Sequence, residues 1–95
     1  MIRHAVLVML KADTSTESME TAVEQARKLP SEIPSLRQIE VGLGANPGNA
    51  TVGIMALFDD MEGFWEYMKH PAHQAFGQVH IRPFAESITQ VQFEI

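Results

Sequence analysis

The sequence contains no cysteine, which excludes disulfide bonds, thiolate nucleophiles and thiolate metal sites. Basic side chains are also few, seven Lys and Arg against twelve Asp and Glu, for a net charge of −5. They are scattered along the chain, so the clustered positive stripe that a nucleic acid or an anionic membrane requires is missing. No apolar run approaches the roughly 20 residues of a membrane span. The first apolar stretch, Ala5 to Leu10, is closed at once by Lys11 and Asp13. It falls short of the about 7–15 apolar residues of a secretory signal. There is no phosphate loop, because Gly42 and Gly44 precede a turn and a strand instead of a helix. No serine sits in a G-x-S-x-G elbow. These absences predict a cytoplasmic protein with neither nucleic-acid nor membrane partners.

What is present describes one globular domain, residues 1–95, with 45% hydrophobic and 20% charged residues. Ile2 to Leu10 reads as a strand with Ile2, His4, Val6, Val8 and Leu10 on one face and Ala5, Leu7 and Met9 on the other. Thr14-Ser15-Thr16-Glu17 reads as a capping box opening a helix. Met19, Ala22, Val23, Ala26 and Leu29 form its apolar stripe, and Pro30 and Pro34 end it. Leu36 to Leu43 and Thr51 to Phe58 read as a hairpin around the turn-forming segment Ala45 to Ala50. Asp59 to Glu62 caps a second helix, with Met61, Phe64, Trp65 and Met68 as one stripe. Pro71 renews that helix, with Ala72, Ala75, Phe76 and Val79 inward, and Pro83 stops it. Ser87 to Ile95 is the last strand, in which Ile88 is out of phase with Val91, Phe93 and Ile95.

The order β-α-β-β-α-β predicts an α+β, ferredoxin-like fold: a four-stranded antiparallel sheet with both helices on one face. Two helices cover one sheet face only. Ala5, Leu7, Met9, Met55 and Leu57 would remain as an apolar patch on the other. A second copy under two-fold symmetry is the simplest cover, so a homodimer through the sheet face opposite the helices is expected.

The segment Tyr67 to Gly77, YMKHPAHQAFG, is the part richest in reactive groups. Imidazole exchanges protons near neutral pH, and a phenol O–H orients a carbonyl. His73 and Tyr67, with His4 on the first strand, have the makings of a proton-transfer site needing no cofactor. Structural roles stand beside this reading: His73 packing at the helix restart, Tyr67 as a core-edge aromatic, His4 as a hydrogen-bonded strand residue. His70 and His73 have i, i+3 spacing, but Pro71 interrupts the helix between them and no third ligand is near, so no metal is expected.

The first strand, Gly42 and Gly44, Ala56-Leu57-Phe58 and the YMKHPAHQAF segment together resemble the stress-responsive A/B barrel (Dabb) family along essentially the whole chain. That resemblance implies a dimeric α/β-barrel. The family's best-defined member is a plant polyketide cyclase that performs an intramolecular aldol condensation without metal or cofactor. By resemblance, His73 matches its general base, Tyr67 its orienting phenol and His4 a pocket histidine, while Gly53 stands where it has a further pocket histidine. The expected pocket is apolar, lined by Val6, Phe64, Trp65 and Phe76. The ligand implied is a small apolar or polyketide-like molecule. Three activities remain open: a cofactor-independent aldol-type cyclase or lyase on a β-dicarbonyl, a non-catalytic binding or stress protein, and a cofactor-free monooxygenase.

Overall fold

The computed structural model describes residues 1–46 and 50–95. Its elements run β1 (Ile2–Leu10), α1 (Thr16–Arg27), α2 (Leu29–Glu32), β2 (Gln38–Leu43), β3 (Thr51–Phe58), α3 (Met61–Lys69), α4 (Pro71–Phe76), a π-helical turn (Gly77–Ile81) and β4 (Ala85–Glu94). The sheet is antiparallel throughout in the order β2-β3-β1-β4. This is the ferredoxin-like arrangement expected from the pattern. The turn expected over Ala45 to Ala50 falls partly on residues 47–49, which lie outside the described residues.

Alternation along the strands separates two faces. His4, Val8 and Leu10 of β1 and Val52, Ile54, Ala56 and Phe58 of β3 are buried beneath the helices. Leu7, Met9, Val91 and Phe93 are 43–53% exposed on the reverse. Register links the two sets: His4 stands between Ala56 and Gln92, and Leu7 between Gly53 and Thr89. A shift between Met9 and Leu10 moves Leu10 opposite Ala85.

Several local expectations are corrected. Ser15, not Thr14, caps α1: its backbone is extended and its hydroxyl accepts from the Ser18 amide at 3.1 Å. Pro30 does not end the helical path, because it occupies the first positions of α2, where the missing N–H costs nothing. Leu36 is buried but precedes β2.

The stripe on α3 is Phe64, Tyr67 and Met68; Trp65 is 53% exposed and Met61 38%. Tyr67 takes the inner place because its ring meets Phe58, at 5.1 Å between centroids. On the next segment Ala75 is exposed and Val79 is 59% exposed, while Phe76 and Ile81 are buried. The π-helical turn accounts for the outward Val79 and the inward Ile81. It widens the path so that residues five apart, Phe76 and Ile81, share the inner face. No helix is long and apolar enough to cross a membrane among the described residues.

Candidate active site

His70 sets the geometry of the site. Preceding a proline, it is driven into extended backbone (φ −66°, ψ 135°), so α3 stops there. Its Nδ1 accepts the Ala72 amide at 3.0 Å and caps α4. The chain turns sharply and brings His73 back over Tyr67, the two ring centroids 4.2 Å apart at 46°. His4 lies below them on β1, 2% exposed. Its ring is 6.0 Å from Tyr67, edge-on, and 4.9 Å from Phe64.

The three polar rings line one cavity of about 160 Å³. Its floor is His4, Val6, Val8, Ile54, Ile88 and Gln90 of the sheet. Its walls are Tyr67, Met68, His73, Phe76, Gly77, Ile81 and Arg82. Apolar cavities of roughly 150 Å³ hold one benzene ring, so this one admits a compact ligand. Two wider surface grooves, of about 680 Å³ along α1 and β2 and about 360 Å³ on the open sheet face, contain no His or Tyr.

The residues expected at the pocket divide as follows. His4, Val6, Tyr67, His73 and Phe76 come together at the cavity. Phe64 is buried behind His4 and supports its ring without lining the space. Trp65 points away, on the outer face of α3. Gly53 is on the opposite side of the sheet: a Cβ there would meet Leu7 Cδ2 at 4.0 Å, on the open face. The β3 residue that reaches the cavity is its neighbour Ile54. Residues missed by sequence reasoning are Val8, Ile54, Met68, Gly77, Ile81, Arg82, Ile88 and Gln90 of the lining, and Gln92, which bonds His4. The one signal available was the phase break at Ile88, which puts Ile88 and Gln90 on the helix side and Val91 on the other.

The electrostatics suit neutral imidazoles beside a protonated phenol. The Gln92 side-chain amide and His4 Nδ1 are hydrogen-bonded at 2.9 Å, which ties the ring to β4. Burial, helped by the nearby His73, lowers the His4 pKa to about 4. Burial also lowers His73. The Met68 carbonyl opposes that shift without reaching hydrogen-bond geometry at Nδ1, and the Arg82 charge adds to it. Burial pushes the Tyr67 phenol up, so it stays a donor. Among the described residues no three His, Asp or Glu side chains converge as metal ligands would. The arrangement offers an unprotonated base and a hydrogen-bond donor in one small, mostly apolar space.

A family model described as the stress responsive A/B barrel domain matches residues 2–95. Among solved structures, a dimeric protein of unknown function and ferredoxin-like fold from Bacteroides fragilis is 30% identical, with a TM-score of 0.83, over 99% of this chain and 95% of that one. A dimeric ferredoxin-like protein of unknown function from Thermobifida fusca is 31% identical, with a TM-score of 0.85, over 99% and 90%. A hydroxynitrile lyase from Passiflora edulis has the same fold, with a TM-score of 0.85 at 18% identity over 99% and 92%. No curated protein matches the sequence.

Proposed function

Because this chain belongs to the stress-responsive A/B barrel domain family, we propose that it is a cofactor-independent proton-transfer enzyme, an aldol-type cyclase or lyase acting on a β-dicarbonyl or related compound. The observation that supports this reading is the meeting of His73, Tyr67 and His4 at one cavity.

His73 removes the α-proton. The C–H bond breaks, its electron pair moves into the carbonyl, and the enolate oxygen accepts from the Tyr67 O–H. The enolate carbon then attacks a second carbonyl of the same molecule, and protonated His73 returns its proton to the new alkoxide. In the reverse, lyase direction the base takes a hydroxyl proton, the carbon–carbon bond opens to a carbonyl with its electron pair leaving on the enolate or cyanide fragment, and protonated His73 returns the proton to that fragment. Hydroxynitrile cleavage, named for the Passiflora edulis protein of this fold, is a reaction of that reverse type. A β-dicarbonyl α-proton is acidic enough for one positioned base, typically contributing about 10²–10⁴-fold, to suffice. A cavity of about 160 Å³ suits a reacting portion of roughly one six-membered ring, and any longer chain extends out through its mouth.

The protein works as a homodimer in this reading. Leu7, Met9, Val91 and Phe93 stand exposed on one sheet face, a patch that isolated domains rarely leave to water. Two structural relatives with that fold are described as dimeric.

The test is deuterium uptake at the α-carbon of pentane-2,4-dione and a β-keto thioester, with wild type and His73→Ala compared. Exchange that requires His73 supports the enzyme. No exchange above buffer, with both proteins folded, transfers the cavity to a ligand-binding role.

A further inference from the structure

Arg82 follows the π-helical turn directly, and its backbone amide donates to the Gly77 carbonyl at 2.8 Å. That bond fixes where the side chain leaves the backbone, and Arg82 lines the cavity that holds His73 and Tyr67. It is the one formally charged residue among those lining the cavity; no Asp, Glu or Lys joins it. The chain as a whole carries a net charge of −5, so a lone cation here runs against the composition. Nor is its charge used internally: the salt bridges among the described residues are Lys28–Glu24 and Arg37–Asp59. Arg82 is exposed, and Gln90 of the floor adds a neutral polar amide to the lining of the same cavity.

We propose that Arg82 determines specificity at this site by holding a carboxylate, so that the ligand class is a compact carbonyl acid, such as a β-keto acid, with the carboxylate at the mouth and the carbonyl inside toward Tyr67. The proposal rests on the cavity being the ligand site described above, and it adds the charge of the ligand. A guanidinium presents paired N–H donors that match the two oxygens of a carboxylate. A carbonyl two or three bonds from that carboxylate then falls inside the cavity, whose volume of about 160 Å³ leaves room for little else.

The experiment compares acetoacetate with its neutral methyl ester as binding probes, followed through the imidazole signals of the protein by NMR at constant ionic strength. Wild type is expected to bind the acid about tenfold more tightly than the ester, the order given by one charge-assisted pair. The acid-to-ester ratio falls to near one in Arg82→Gln and is kept in Lys28→Gln, a cation remote from the cavity. A ratio near one in wild type, a ratio that survives Arg82→Gln, or binding by neither probe overturns the proposal. The two readings fail separately. Acid preference that depends on Arg82, without α-proton exchange, leaves Arg82 its role and removes the enzyme. Exchange of pentane-2,4-dione that depends on His73, with no acid preference, does the reverse.

Discussion

The rings of Tyr67 and His73 lie 4.2 Å apart between centroids although they sit on two different helices separated by a proline. Neither ring would meet the other on a continuous helix, where residues six apart point to different sides. The contact exists because His70 adopts extended backbone and Pro71 restarts the helix in a new direction. Tyr67→Phe keeps the ring contact and removes only the donor. It is expected to lower α-proton exchange by about 10–100-fold, the loss of one transition-state hydrogen bond. Urea unfolding should shift by less than about 1 kcal/mol.

The pH profile of the same reaction follows from the same pair. His73 is held below the ordinary imidazole pKa of 6.5, so it is unprotonated and competent at neutral pH. The acid limb of the exchange rate is expected below pH 6.5, and it should vanish in His73→Ala. Tyr67 is raised above the ordinary phenol value of 10.0, so no loss of rate from phenol ionisation is expected below that pH. A rate–pH series in deuterium oxide, corrected for the isotope, reads both limbs.

His4 makes stability itself depend on pH. Its folded pKa of about 4 lies below the ordinary imidazole value of 6.5, so the unfolded chain binds more protons between those values. Stability is therefore full above pH 6.5 and is lost as pH falls toward 4, by up to roughly 3 kcal/mol for this one group. Urea titrations at pH 7 and pH 4.5 should differ in that direction. Gln in place of His4 should flatten the difference even where it lowers stability at both.

The open sheet face has its own test. Leu7 is 53% exposed on the central strand β1, between Gly53 and Thr89. Leu7→Lys puts a charge in the middle of the proposed contact without entering the core. Light scattering is expected to give twice the 10.6 kDa chain mass for wild type and a single chain for the variant. A wild-type protein that scatters as one chain rejects the dimer.

Two neighbouring aromatics should behave oppositely. Phe64 is 2% exposed and packs on His4 and Phe58, so Phe64→Ala is expected to cost about 3–5 kcal/mol in urea unfolding. Trp65 is 53% exposed, and Trp65→Ala should cost less than about 1 kcal/mol. The fluorescence of this single tryptophan should accordingly be quenched readily by acrylamide in the folded protein.

The strands were legible because a sheet has a rigid period of two: once Val8 faces inward, so must His4, and Leu7 must face outward. The helices were less so. Met61, Phe64, Trp65 and Met68 satisfy helical spacing as well as Phe64, Tyr67 and Met68 do. What decides between them is the place under Tyr67 made by Phe58 and His4, which is a tertiary fact. An α-helical period carried through Gly77–Ile81 puts Val79 inward, whereas the turn there is π-helical and leaves it exposed. The candidate site was legible where the reactive side chains are rare types: His4, Tyr67 and His73. It was not legible at Arg82 or Gln90, whose relevance depends on the phase of the backbone that carries them. Gly53 rests on resemblance alone, and the β1–β3 register puts it behind the sheet.

The π-helical turn makes the cavity wall a matter of counting. One residue more or less in a helix is a rotation of about 100° for everything that follows. Side-chain changes within Gly77–Ile81 that preserve the five-residue span leave the direction of Arg82 intact. Loss of a single residue there swings the guanidinium a quarter turn or more from its present bearing while the composition hardly alters. Segment length in this stretch is thus a variable separate from residue identity, and two chains that agree at His4, Tyr67 and His73 but differ by one residue here would present different mouths to a ligand.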